Sequence, residues 1–197
     1  GAAITSLRVN GVLHEFSTIP GVMEDVSDIV LNLKEVRLRL HSDAPKTLRL
    51  HKKGEGLITA ADLASDDSSV EVLNKDHKIA TLSSDADVEM EVTIGVGKGY
   101  VPAEKNKTPD MAIGTIPIDS VFSPVTKINY TVTPARVGRE TDFDRLNFEV
   151  WTDGTVSPMD AVAFAAKILK EQLSIFINFD EPPELPAPAE DVPQPSN

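Results

Sequence analysis

Short runs in which apolar and polar residues alternate recur along most of the chain: ITSLRV (4–9), VLHEF (12–16), VRLRL (36–40), TLRLH (47–51), VEVL (70–73), KIATLS (78–83) and DVEMEVTIGV (87–96). A period of two sends successive side chains to opposite faces of a pleated strand, so these runs predict a largely β structure with one face of each strand in a core. In VLHEF the alternation places Val12, His14 and Phe16 on one face and Leu13 and Glu15 on the other. The neighbouring Asn10-Gly11 predicts a type I′ hairpin turn joining ITSLRV to VLHEF. Further on, IGTIPIDSVFSPV leads into TKINYTVTPARV, and DFDRLNFEVW (142–151) is another strand candidate followed by a hairpin-type turn at Asp153-Gly154.

Two segments carry the helical period instead. After Pro20-Gly21, the residues Val26, Ile29, Val30 and Leu33 recur at helical spacing behind acidic residues that suit a helix start, which predicts a helix over Met23–Leu33. Ser157-Pro158-Met159-Asp160 reads as an N-cap, a proline at the first helical position and an acidic third position, opening a helix that runs to Ile177. Its apolar residues cover an arc of roughly 220°, far wider than the stripe needed to cover one sheet. One side can cover the chain's own sheet. The other, through Phe164, Ile168 and Ile175, needs a second partner, either another subunit or the rest of a larger domain.

Between these segments, TAADLASDD predicts a turn of helix ending in a loop, and AEKNKTPDMA (103–112) a polar connection. A second structural unit is expected to begin near residue 120. The closing DEPPELPAPAEDVPQPSN holds six prolines and five acidic residues in eighteen positions and reads as a disordered linker over 180–197. The chain begins at Gly1 and runs at once into a strand pattern, which is expected of a truncated or processed product.

Composition narrows the possible chemistry. The 197 residues carry 31 acidic against 19 basic side chains, a net charge of −12 that opposes neutralisation of nucleic-acid phosphates, so direct DNA binding is not expected. Without cysteine, thiolate catalysis, disulfides and the usual structural zinc sites are excluded. No stretch approaches a membrane span and no signal-peptide pattern opens the chain, so a cytoplasmic location is expected.

Few residues offer catalysis. His14, His41, His51 and His77 are scattered and show no metal-ligand spacing. Asp142 and Asp144 form a D-x-D without a nearby third ligand, although a metal-dependent enzyme using them with His14 is the rival reading; a β-rich peptide-binding module is another. Gly95-Val96-Gly97-Lys98-Gly99 falls short of a phosphate loop, because Val92 stands where the first glycine belongs and Gly99 follows the lysine. A glycine corner that lets backbones approach closely accounts for it better.

Seven segments in order carry a family resemblance: GVLHEFST, GVMEDVSDIVLNLK, TAADL, GKGYVPA, IGTIPIDSVFSPV, ARVGRETDFDRL and TDGTVSPMDAVAFAAKILKEQL. Together they resemble the amino-terminal region of the alpha-subunit family of bacterial DNA-directed RNA polymerase. The resemblance implies an α+β chain: a mostly β insert domain over 1–122, then the returning half of an α/β dimerisation domain over 123–179 with a long last helix. It implies a noncatalytic subunit without cofactor or metal, which dimerises and assembles the beta and beta-prime subunits. Phe164, Ala165, Ile168, Leu169 and Ile175 would lie in the dimer interface, and Lys34, His14 and Glu15 against a large subunit. On residues alone Lys34 reads better as a solvated lysine favoured by a helix C-terminus, and only the resemblance brings a partner contact level with that reading. The family's opening strand and helix, with its L-G-N-x-L-R-R-x-L-like motif, and its carboxy-terminal DNA-binding domain are not matched by these residues.

Overall fold

The structure, a computed structural model, describes residues 1–63, 67–137 and 140–177. In chain order its elements are β1 (Ala2–Val9), α1 (Val26–Lys34), β2 (Leu38–Leu40), β3 (Lys46–Lys53), β4 (Gly56–Thr59), α2 (Ala60–Leu63), β5 (Val70–Val72), β6 (Lys78–Leu82), β7 (Asp87–Val96), β8 (Tyr100–Val101), α3 (Ala103–Asn106), β9 (Thr115–Pro117), β10 (Ser120–Val121), β11 (Val125–Val137), β12 (Glu140–Thr152) and α4 (Pro158–Leu173), with a 3₁₀ turn at Ser174–Phe176. This is the α+β mixture that the resemblance implies. Gly1–Ala161 form one compact unit, and the remaining described residues, 162–177, belong to a second. The predicted linker over 180–197 lies outside the described residues.

The main sheet has the order β3-β7-β1-β9, all antiparallel. β7 shows why it forms: Val88, Met90, Val92 and Ile94 alternate with Glu89, Glu91 and Thr93, and the four apolar side chains are buried. Each such burial contributes about 1.5–3 kcal/mol relative to exposure. β1 keeps the same alternation except at Thr5, where a bulge lets Ser6 and Leu7 both turn inward. The outer face is a polar ladder in which Glu91 of β7 accepts from Arg8 of β1 at 3.1 Å and Arg49 of β3 at 2.8 Å. Two small antiparallel pairs, β4–β6 and β2–β5, bring Ile58, Ile79, Leu82, Leu38, Val70 and Val72 into the same core.

α1 packs on β1 and β6 through Val26, Ile29 and Leu33. Its start is fixed by Asp25, whose carboxylate accepts from Asp28 N–H at 2.8 Å, and it ends at Glu35, whose N–H returns to Asn32 and Leu33. The helix thus begins somewhat later than Met23, at the capping residue. α2 is the single turn expected in TAADL, while 103–112 contains a turn of helix, α3, that the polar composition concealed.

VLHEF is not a strand, and the type I′ hairpin does not form. Only Gly11 has positive φ, +80°, whereas a type I′ turn needs it at Asn10 as well. Val12 N–H bonds back to Val9 O, and the chain then runs as a loop over 12–20, because both sides of β1 are taken by β7 and β9. Val12 is buried, but His14 and Phe16, predicted on its face, are exposed together with Leu13 and Glu15. Asp153-Gly154 likewise turns the chain from β12 toward α4 rather than closing a hairpin, with Asp153 accepting from Thr155 N–H and hydroxyl.

Two glycines test the tightness of this packing. Gly21 (φ +76°) lies where an added Cβ would meet Ala86 Cα at 2.7 Å, whereas Gly54 (φ +78°) has open space. Gly54→Ala is expected to cost only the left-handed backbone term, about 1–2 kcal/mol. Gly21→Ala should lose clearly more, read as a larger fall in urea midpoint in parallel melts.

Candidate functional site

Lys34 closes α1, where the helix C-terminus favours a cation. Its ammonium lies 2.7 Å from the Asp119 carboxylate, in the connection between β9 and β10, and each side chain is 31% exposed. Tyr100 of β8 donates its hydroxyl to the same carboxylate oxygen at 3.3 Å. Three segments distant in sequence, LNLK, GKGYVPA and IPIDS, therefore meet at one point. Sequence reasoning found Lys34 but missed Asp119 and Tyr100, since no periodicity links them to the helix end. The Lys34 hydrogen bond and charge hold the Asp119 carboxyl below its ordinary pKa, against partial desolvation that pushes the other way.

The pair sits on the wall of a groove of about 850 Å³, lined also by Arg37, Lys75, Asp76 and His77. Below it, Ser120 is buried and holds the connection by donating to Ile4 O at 2.7 Å, while Asn106 Nδ2 donates to Ile118 O at 2.6 Å. The arrangement gives Lys34 a fixed direction and leaves part of it exposed. It can present a cation to a macromolecular surface.

His14 and Glu15 lie at the other end of α1. Ser27 Oγ donates to Glu15 O at 2.9 Å, and His14 Nδ1 is 3.2 Å from Ser17 Oγ in the turn His14–Ser17. A nine-residue helix separates this loop from Lys34 by roughly 13 Å, so the structure does not gather the three residues into one site. Around His14 the surface is apolar: Leu13 and Phe16 are more than two-thirds exposed, and Ile113 is almost fully so. Gly114 holds the connection between α3 and β9 close to Val12, where a Cβ would meet Val12 O at 2.7 Å.

β11 and β12 form a two-stranded ribbon with a continuous apolar face on one side and a mixed one on the other, where Phe143 and Trp151 stand among polar residues. The opposed pairs Ile128↔Val150, Tyr130↔Phe148 and Val132↔Leu146 share one face, and Asn129↔Glu149, Thr131↔Asn147 and Thr133↔Arg145 the other. Ile128, Tyr130, Val132, Leu146 and Phe148 are all at least half exposed. In α4, Ser157 caps the helix as expected, accepting from Asp160 N–H and donating to its carboxylate. No side chain of α4 is buried; Phe164, Ala165, Ile168 and Leu169 are exposed, as is Ile175 in the following turn. The second covering that the helix pattern calls for is therefore not supplied within the described residues.

Among the described residues no group of three His, Asp or Glu side chains converges as a metal site. The Asp142 side chain lies outside the described residues, and Asp144 stands opposite Pro134 in the ribbon. The glycine corner admits a side chain rather than a backbone: a Cβ on Gly97 would meet the Phe122 ring at 2.7 Å, whereas Gly99 has open space. No helix among the described residues is long and apolar enough to cross a membrane.

Residues 7–123 match the model of the family described as the RNA polymerase Rpb3/RpoA insert domain. The DNA-directed RNA polymerase subunit alpha of Geobacter metallireducens is 58% identical over 192 residues, covering 98% of this chain and 55% of the relative. The protein of the same name from Symbiobacterium thermophilum is 56% identical over 181 residues (92% and 57%), and that from Pelobacter propionicus 57% over 190 (96% and 56%). The chain spans just over half the length of these relatives.

The Lys34–Asp119 pair has a predictable acid response. Because the folded Asp119 pKa is depressed, its contribution is present above the unfolded carboxylate pKa near 3.9 and is lost as the pH falls through the folded value. Asp119→Asn should cost up to about 1 kcal/mol near neutral pH and nothing in strong acid. Urea melts at the two pH values check the difference.

Proposed function

The chain belongs to the RNA polymerase alpha-subunit family, and from that premise we propose that it is a noncatalytic assembly subunit of DNA-directed RNA polymerase in the cytoplasm. In this reading two copies of the complete subunit dimerise and present surfaces on which the beta and beta-prime subunits assemble. Residues 1–122 act as the insert domain and 123–179 as the returning half of the dimerisation domain. Polymerisation chemistry resides in the large subunits.

The observation that carries the reading is the exposed apolar face of the β11–β12 ribbon together with the uncovered apolar side chains of α4. A two-stranded ribbon is marginal alone in water, and exposed apolar surface of this kind on each element suits an interface. Phe164, Ala165, Ile168, Leu169 and Ile175 are assigned to the dimer contact. Lys34, held by Asp119, to which Tyr100 also donates, and the exposed loop containing His14 and Glu15 are assigned to the large subunits as two separate contacts. The relatives' shared name, DNA-directed RNA polymerase subunit alpha, favours this reading over a metal-dependent enzyme.

Two measurements test the assignments. In the full-length subunit, Phe164→Asp is expected to shift sedimentation from dimer to monomer, and an unchanged dimer would remove α4 from the interface. Lys34→Ala should lower co-purification of a large subunit while the folded circular-dichroism signal is kept and stability falls by no more than the about 1 kcal/mol of the lost pair; full recovery of the complex would remove Lys34 from the contact.

A further inference from the structure

We propose that Asn10 is a self-modifying site, at which the side-chain amide is lost through a succinimide to give aspartate and isoaspartate. Asn10-Gly11 is the one asparagine in the chain followed by glycine. The expected hairpin does not absorb this pair. It forms an exposed turn at the end of β1, with Gly11 at φ +80° and no atom within 4 Å of the position a Cβ would take.

The reacting groups are accessible. Among the described backbone hydrogen bonds, Asn10 N–H donates to Glu89 O at 2.9 Å and Val12 N–H to Val9 O at 3.1 Å, while none uses Gly11 N–H. The Asn10 amide is held only by a stretched contact from Nδ2 to Glu89 Oε2 at 3.5 Å. After loss of its proton to solvent base, Gly11 N attacks Asn10 Cγ, a new C–N bond closes the five-membered ring, and the Cγ–Nδ2 bond breaks with departure of ammonia. Water then opens the succinimide at either carbonyl. Opening at one restores a normal backbone as aspartate; opening at the other leaves isoaspartate, with the chain routed through the side-chain carbon. The net change is gain of water and loss of ammonia, with no oxidant or reductant.

Other asparagines lack this combination. Asn74 donates to Glu35 O at 3.0 Å and accepts from Arg37 N–H at 2.8 Å, and Asn106 donates to Ile118 O at 2.6 Å. Each is followed by a lysine, whose Cβ crowds the attacking nitrogen as glycine does not. The consequence at Asn10 is local but well placed. Aspartate puts a second carboxylate beside Glu89, and isoaspartate lengthens the backbone between the buried anchors Val9 and Val12, loosening the start of the loop that carries His14 and Glu15.

The test is timed incubation of the full chain, kept folded in mildly alkaline and mildly acidic buffer, with peptide mapping by electron-transfer fragmentation to distinguish isoaspartate from aspartate. Asn10 should convert at least an order of magnitude faster than Asn74 or Asn106, and faster in the alkaline buffer. Asn10→Gln should remove the isoaspartyl methyltransferase label from the peptide that spans residues 10 and 11 of the aged protein, and Gly11→Ala should slow its appearance. Conversion of Asn10 no faster than Asn74, or a label on that peptide that persists in Asn10→Gln, would overturn the proposal.

Discussion

The antiparallel pairing of β1 with β7 is the contact on which the rest of the first unit depends. It places Ala2 opposite Val96 and Val9 opposite Met90, joining residues almost the whole of that sheet's sequence apart. Such a pairing closes a long loop and repays the lost chain entropy only when the apolar face of the sheet is covered. The cover is α1 and the two small strand pairs, all contained within the closed loop. Once β1 is fixed between β7 and β9, no edge remains for the segment that follows it, and this decides the conformation of GVLHEFST.

That constraint also explains what the sequence could and could not reveal. β7 was legible because Val88, Met90, Val92 and Ile94 alternate without interruption, and α1 because Asp25, Val26, Ile29 and Leu33 supply both a cap and a buried stripe. VLHEF has the same alternation as a strand but no free neighbour with which to bond. Periodicity reports which side chains could share a face; it carries no information about the availability of a partner strand. The second, smaller error, the short helix in 103–112, has a similar origin, since a single turn needs little apolar periodicity when Asn106 is anchored by hydrogen bonds to Ile118 and Ser120.

The candidate surface was half legible for a related reason. A lysine at the end of a helix is visible in sequence, whereas its orientation comes from Asp119 and Tyr100, brought there by strands β8 to β10. Pairing lowers the freedom of the lysine without burying it, so little ordering remains to be lost when it meets a second macromolecule. The groove beside it contains both signs of charge, which suits discrimination between partners better than general attraction to polyanions. Family resemblance singled out Lys34 as a candidate, and the fold shows that Asp119 pairs with it.

The ribbon of β11 and β12 has one further consequence. With Ile128, Tyr130, Val132, Leu146 and Phe148 exposed on one face, it displays strand-shaped apolar surface beside open backbone edges, the form of exposure that invites self-association. On the proposed reading, the same surface distinguishes an unassembled copy from an assembled one.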